Sequence, residues 1–397
     1  MSQTVLVINS GSSSIKYQLV DPSTGYAIAK GLVEQIGEPQ GHIEHRHAQK
    51  VVEMDVVIAD HGDGLRKVLD LFNEVGPTLE DANIVAVGHR VVQGGRYFDG
   101  PALVNDRVRN LIDELSDLAP LHNPANLKGI DVARELLPDI PHVVVFDTAF
   151  FQTLPDEVAT YAIDREIASK YSIRRYGAHG TSHQYVSQRV SSLLGGRDLK
   201  QIVLHMGNGA SASAIIGDQP IDTSMGLTPL EGLVMGTRTG DIDPAVVFHL
   251  QRVAGMTYQQ VDHLMNKESG LKGLTGVNDM RAVREMSKEG DPDARKKARL
   301  ALDVYVTRLV KYIGSYTAEM GGLDVLTFTA GIGENDGRIR AEVCERLAPF
   351  GVVLDDDANS TRHSEPATIS KRGSSVRVMV VPTNEELAIA KQALTLV

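Results

Sequence analysis

The sequence predicts an α/β protein built from two related halves, and three observations carry that prediction. First, apolar strand-like runs (ANIVAVGHRVV, PHVVVFDTAF and VLTFTAGIG) alternate with helical patterns along the chain. Second, TVLVINSGSSSIKYQLVD reads as a strand, a Gly/Ser turn and a second strand, and QIVLHMGNGASASAIIGD repeats that layout about half the chain later, with His205 standing where Asn9 stood. Third, 397 residues exceed one ordinary domain; at about 150 residues per domain, two or three are expected.

Each element follows from its local pattern. The opening segment has no basic n-region and its apolar run is only Val5 to Ile8, so it reads as a strand and not as a signal peptide. Residues 37–50, GEPQGHIEHRHAQK, are polar and read as a solvated loop or an edge strand. Leu302, Val306, Leu309, Val310 and Ile313 recur at helical spacing, and Gly321-Gly322 supplies the stop. RAEVCERLAPF also reads as a helix, which makes Cys344 a buried, inert thiol. The halves are expected to cross near residues 150–160, giving a first domain over 1–150 and a second over 151–383. The helix NEELAIAKQALTLV (384–397) is expected to return to the first.

Composition excludes several classes. Hydrophobic residues make up 42% and charged residues 23%, which rules out disorder, collagen and coiled coil as whole-chain descriptions. Lys and Arg number 40 against 51 Asp and Glu, for a net charge of −11, which argues against a nucleic-acid binder or an anionic-membrane binder. A single cysteine permits no intrachain disulfide, and no stretch approaches the ~18 apolar residues of a membrane span. The expected location is the cytoplasm.

Phosphate-binding devices remain to be tested. The chain has no G-x-x-x-x-G-K-[ST] and no protein-kinase signature. Gly207-Asn208-Gly209-Ala210-Ser211-Ala212 precedes a β-like run where a dinucleotide motif needs a helix. Small residues at a β-turn still let backbone N–H groups approach phosphate oxygens, and Ser10-Gly11-Ser12-Ser13-Ser14 adds hydroxyls with Lys16 nearby. Gly331-Ile332-Gly333-Glu334-Asn335, between a strand and a helix, suits a nucleotide base or ribose.

Asn9 to Lys16 (NSGSSSIK) and His205 to Ser211 (HMGNGAS) resemble the two signatures of the acetate kinase family. The resemblance continues, in order, through Gly88-His89-Arg90-Val91-Val92, the stretches 119–124 and 146–150, and Arg175-Tyr176-Gly177. It extends through His179-Gly180-Thr181-Ser182-His183, the stretches 235–244 and 329–335, and Thr383-Asn384-Glu385-Glu386-Leu387, so it spans the whole chain. It implies a duplicated ribonuclease H-like fold of the actin-like ATPase type, with a cleft between the domains. It also implies reversible transfer of the ATP γ-phosphoryl group to acetate, giving acetyl phosphate and ADP, with Mg²⁺ or Mn²⁺, in a homodimer. A propionate- or other short-chain acyl kinase is one alternative; a non-catalytic actin-like nucleotide-binding module is the other, and the presence of Arg90, Arg238, His179 and Asp147 together argues against it.

The resemblance assigns roles residue by residue. Arg90 binds the substrate carboxylate, and Val92, Leu121, Ala178 and Pro229 form the acyl pocket. Arg238 and His179 stabilise the transition state. Asp147 is given a proton-transfer role, although a carboxylate substrate is already ionised at pH 7 and needs no base; orienting Mg²⁺, its waters or Arg238 suits Asp147 better. Lys16, His205, Met206, Gly207, Asn208, Gly209, Asp279, Met280, Arg281, Gly331, Ile332, Gly333, Glu334 and Asn335 correspond to ATP-binding positions. Asn9 and Glu385 correspond to metal positions, with Glu386 the less favoured carboxylate. His183, His122 and His89 read as structural hydrogen-bonders, and Asn123-Pro124 and Asp243-Pro244 as N-cap plus N1 pairs.

Four positions depart from the family pattern: Gln93, Phe151 and Met206, which touch no charged position, and Ala178, where a Phe is usual. The smaller Ala178 predicts a pocket that admits one more methylene unless Phe150 or Phe151 fills the gap.

Overall fold

The computed structural model describes residues 3–397. The chain divides into two units, one running to Gln152 and taking in Asn384–Val397, the other comprising Thr153–Thr383. Each is built on its own mixed sheet.

In the first unit the strands are β1 (Thr4–Ser10), β2 (Ser14–Asp21), β3 (Tyr26–Glu34), β4 (Gly41–His47), β5 (Lys50–Val56), β6 (Ile84–Val91), β7 (Ala102–Leu103) and β8 (His142–Phe146), in the order β5-β4-β3-β2-β1-β6-β8-β7. In the second they are β9 (Lys200–Met206), β10 (Ala210–Ile216), β11 (Gln219–Thr223), β12 (Val325–Thr329), β13 (Ala367–Thr368) and β14 (Arg377–Val380), in the order β11-β10-β9-β12-β14-β13. The plans coincide. In both, a central strand (β1 or β9) pairs antiparallel with the next strand and parallel with a later one (β6 or β12). A further parallel strand (β8 or β14) and a two-residue antiparallel strand (β7 or β13) close the same side. The first unit adds the β4–β5 hairpin, so residues 37–50 hold a strand over 41–47 and the first residue of the edge strand β5, with turns at 37–40 and 48–49.

Sequence explains these positions. β1 (TVLVINS) and β8 (HVVVF) carry unbroken apolar runs, Val5 to Ile8 and Val143 to Phe146, buried on both faces, as central strands covered by helices must be. β5 (KVVEMDV) lies at the edge and has no buried residue. In the first unit Leu6, Ile8, Leu19 and Val87 pack with Leu65, Val68 and Phe72 of the helix His61–Val75, which Asp60 caps by accepting from Asp63 N–H at 2.9 Å. The helix Glu385–Ala393 packs on β1, β6 and β8, and Gly88 makes room for Ile389. The core of the second unit gathers Ile202, Leu204, Met206, Leu326 and Phe328 against the helix Pro292–Glu319. That helix starts at Asp291 with Pro292 in its first turn and buries Leu302, Tyr305, Val306, Leu309 and Ile313.

The Asn-Pro and Asp-Pro pairs need correction. His122, not Asn123, holds the cap position of the helix Asn123–Leu136, without a side-chain capping bond, and Pro244 holds that of the helix Ala245–Val253. Asp243 retains a capping bond, accepting from Ala245 N–H at 2.9 Å.

Candidate active site

In the first unit, β6 and β8 run parallel with Val91 opposite Phe146, which brings Arg90 and Asp147 together at their C-terminal ends. Arg90 Nε donates to Asp147 Oδ1 at 3.0 Å and Nη2 donates to Oδ2 at 2.6 Å. This two-point contact fixes the guanidinium plane. Asp147 is 1% exposed, and its N–H donates to Val91 O at 2.9 Å. Glu385, the first residue of its helix, places Oε2 3.9 Å from Arg90 Nε. Burial pushes the Glu385 carboxyl up, Arg90 opposes that, Asp147 adds to it and Lys16 opposes it. Burial also works against the charge on Arg90, but Asp147, Glu385 and Glu386 outweigh it and hold the guanidinium firmly protonated. Asn9 on β1 lies opposite Lys16 on β2.

Two buried asparagines organise the loops around these groups. Asn126 Oδ1 accepts from Val92 N–H at 3.1 Å, and its Nδ2 donates to Ser10 O at 2.7 Å. One side chain thereby ties the turn after β1 to the turn after β6. Asn123 accepts from Gln93 N–H and donates to Gln93 O, both at 3.0 Å, and Thr148 Oγ1 accepts from Gly94 N–H. The sequence reading missed both asparagines. The available signal was two amides three residues apart on a helix face shared with Leu127 and Ile130. Val92 is buried and Leu121 exposed.

In the second unit, His179 precedes the helix Gly180–Leu194 with φ 59° and ψ 21°, a left-handed conformation that a non-glycine residue adopts at a cost. Its Nδ1 lies 2.8 Å from Ser211 Oγ, and its ring stacks on His205 with centroids 4.2 Å apart. His183 is bonded on both sides, Nε2 to Ser211 Oγ and Nδ1 to Ser213 Oγ, each at 2.7 Å. Burial, then the neighbouring His205, pushes His183 well below the usual histidine range, so it is neutral. His205 Nδ1 contacts Ser182 Oγ at 2.8 Å, which in turn contacts Thr383 Oγ1 at 2.8 Å. Arg238 Nη1 donates to Pro229 O at 3.1 Å. A Cβ built on Gly209 would meet His179 Cε1 at 3.5 Å, His179 Nε2 at 3.6 Å and Arg238 Nη1 at 3.6 Å. Both candidate transition-state groups therefore converge on the space beside Gly209. Ala178 is 2% exposed within the core of this unit.

A cavity of about 1240 Å³ in the second unit is lined by Gly207, Asn208, Asp279, Met280, Arg281, Gly331, Ile332 and Asn335 among others. It suits a nucleotide in size and in its mixed lining. Asp279 is held down to about 2, chiefly by its bond to Arg281. His205, Met206, Gly209, Gly333 and Glu334 are not among the lining residues of that cavity. The Met206 side chain is fully buried in the core, and Glu334 Oε1 accepts from Ala330 N–H at 2.8 Å and Thr383 N–H at 3.1 Å.

The duplicated sheets define the actin-like ATPase class, here carrying an arginine–carboxylate cluster in one unit and a nucleotide-sized cavity in the other. Within that class, the Acetokinase family profile matches residues 4–391, and the chain belongs to this family. It is 56% identical over 392 residues to a protein of Leifsonia xyli subsp. xyli named acetate kinase, covering 98% of each chain. It is 53% identical over 397 residues to the acetate kinase of Corynebacterium aurimucosum, covering 98% of this chain and 96% of that one. Among solved structures, a propionate kinase from Francisella tularensis subsp. tularensis superposes with a TM-score of 0.94 at 40% identity, with all of both chains covered. The Porphyromonas gingivalis acetate kinase gives 0.93 at 40% identity, with 99% of both covered.

Proposed function

We propose that this protein reversibly transfers the γ-phosphoryl group of ATP to acetate, giving acetyl phosphate and ADP. The observation that carries this reading is the two-point Arg90–Asp147 contact. Asp147 occupies the Nε side of the guanidinium, which leaves the edge formed by Nη1 and Nη2 for a carboxylate substrate.

Acetate is already an anion at pH 7, so the chemical difficulty is to bring it against a polyanion. Catalysis is then positioning plus charge neutralisation. Arg90 holds the acetate carboxylate. Arg238 and His179 receive the charge that develops on the transferring phosphoryl group. Both oxygens of Asp147 are engaged by Arg90, so we read Asp147 as holding Arg90 in place and not as a proton acceptor. The cavity holds ADP or ATP, with Asn208, Asp279 to Arg281, Gly331, Ile332 and Asn335 around the nucleoside and the N–H groups of 208 and 209 toward the phosphates.

Mg²⁺, when bound, neutralises phosphate oxygens. Glu385 and Asn9 are the residues that would hold it. A carboxyl pushed up by burial is a group that a divalent cation would relieve. No group of three or more His, Cys, Asp or Glu among the described residues could hold a metal alone, which suits a cation that keeps waters and phosphate oxygens as ligands. Mn²⁺ accepts the same hard oxygen set.

Ala178 is covered by its own core, which favours acetate as the acyl group; the propionate reading rests on the small size of this side chain. Among the described residues no helix is long and apolar enough to cross a membrane. The one cysteine, Cys344, is buried and free, and its burial pushes the thiol up to about 12, in keeping with a cytoplasmic enzyme. The homodimer reading finds support in the helix Ala245–Val253. It has no buried residue, although Phe248 and Val253 are 60% and 70% exposed. Phe248→Asp should then lower the molecular mass measured by light scattering.

The test of the main reading is formation of hydroxamate from ATP, acetate and hydroxylamine. Acetate-dependent product is expected, and kcat/KM should fall about 10²-fold in Arg90→Ala with the acetate KM rising most. A folded protein giving no acetate-dependent product would overturn it. A carboxylate chain-length series separates acetate from propionate.

A further inference from the structure

The helix Gly180–Leu194 and strand β10 meet through two histidines and two serines. His179 and His183 lie one helical turn apart, about 6 Å along the axis. Ser211 and Ser213 are two apart on a strand, so they face the same way about 6.8 Å apart. The two repeats match, and the side chains alternate in one chain: Ser213 Oγ to His183 Nδ1 at 2.7 Å, His183 Nε2 to Ser211 Oγ at 2.7 Å, and Ser211 Oγ to His179 Nδ1 at 2.8 Å.

Counting hydrogens gives the chain a direction. Ser213 is fully buried, and among the described residues its hydroxyl has one hydrogen-bond partner, His183 Nδ1. A buried hydroxyl hydrogen left unused is costly, so Ser213 donates to His183 Nδ1. His183 is neutral and carries a single N–H. With Nδ1 accepting, that hydrogen is on Nε2 and goes to Ser211 Oγ. The Ser211 hydrogen must then go to His179 Nδ1. His179 is left with its hydrogen on Nε2, the atom 3.6 Å from the vacant Cβ position of Gly209, where Arg238 Nη1 also arrives.

We propose that Ser213, His183 and Ser211 form a one-way hydrogen-bond relay that fixes His179 as the neutral Nε2–H tautomer, so that it acts as an uncharged hydrogen-bond donor to the transferring phosphoryl group. Ser213, His183 and Ser211 are positioning residues in this scheme. Putting a second proton on His179 Nδ1 would strand one buried hydroxyl hydrogen, that of Ser211 if the other bonds stand or that of Ser213 if every bond reverses. The relay therefore also keeps His179 from becoming a cation. The inference rests on the proposed placement of His179 at the phosphoryl group.

The experiment is ¹⁵N–¹H correlation of the imidazole nitrogens in the full-length protein at pH 7.5, with kinetics on the same samples. Wild type should show His179 protonated on Nε2 and unprotonated on Nδ1. Ser213→Ala, which removes the far end of the relay, should give a mixed His179 tautomer. It should lower kcat about tenfold while leaving the ATP and acetate KM within about twofold. Ser213→Thr, which keeps the hydroxyl, should restore both. Ser211→Ala provides a second break if Ser213→Ala does not fold. A wild-type His179 that carries its hydrogen on Nδ1, or on both nitrogens, would overturn the relay, as would an unchanged tautomer in both alanine variants. The underlying reading fails separately: a His179→Ala protein with unchanged kcat removes His179 from the reaction whatever its tautomer.

Discussion

The two units carry the same sheet plan and furnish it in opposite ways. At the ends of β6 and β8 the first unit places full charges: Arg90, Asp147 and, from the neighbouring helix, Glu385. Around β9 and β10 the second unit gathers chiefly neutral hydrogen-bonding groups, His183, Ser182, Ser211, Ser213 and Thr383, with the charged Arg238 arriving beside Gly209. A charged cluster fixes one guanidinium strongly but tolerates no missing partner, since a buried charge left alone costs several kcal/mol. A neutral relay fixes a tautomer cheaply, and losing one member costs closer to one hydrogen bond. A shared scaffold thus does not dictate how its polar groups are held.

The largest effect should come from Asp147→Ala, which leaves Arg90 without its two-point partner. Urea unfolding should show a loss of about 3 kcal/mol or more, and kcat/KM should fall about 10²-fold. If Ser182→Ala in the second unit destabilises as much, the contrast between the units is wrong. Next comes Gly209→Ala. Its methyl would make only ordinary contacts with His179 and Arg238, so the melting temperature should stay close to wild type. The methyl nonetheless occupies the space on which those groups converge, and kcat should fall about tenfold or more. Wild-type turnover in this variant would move the phosphoryl group elsewhere.

Asn126→Ala tests the first unit without touching a charge. It leaves Val92 N–H and Ser10 O unpaired in a buried place. A loss of about 2 kcal/mol in chemical denaturation is expected, with the ATP KM rising several-fold as the Ser10 turn loosens. The smallest effect concerns an ionisable group of the second unit outside the relay. Burial pushes Asp222 up to about 6, against the pull of Arg175. A carboxyl raised in the folded state binds its proton more tightly there than in the unfolded chain. Stability is therefore fully present below about pH 4 and is lost as pH rises through about 6. Asp222→Asn keeps an acceptor for Thr223 N–H and should stabilise on the order of 1–2 kcal/mol at pH 8, with little change at pH 4. A gain of the same size at both pH values would show that charge is not the cause.

The duplication was legible because each half opens on a tight hairpin, whose strands and small-residue turn leave a local pattern. One detail was not. Ser10 pairs with Ile15 while Met206 pairs with Ala210, so the first hairpin holds one more residue in its turn. The charged groups stood out by type and motif. What local pattern concealed were polar side chains that serve distant backbone, such as Asn126 reaching Ser10, and Asn123, whose place before Pro124 suggested a cap. The alternating serines of ASASAII were visible, but a strand buried on both faces gives no sign that its serines meet histidines until the helix is laid across it.

Residues 384–397 belong to the first unit, although the chain completes all of the second before reaching them. During synthesis the second unit can fold while the first still lacks the helix that covers β1, β6 and β8 and the carboxylate of Glu385. A nascent chain therefore has the residues that line the second unit's large cavity before it has a finished arginine–carboxylate cluster.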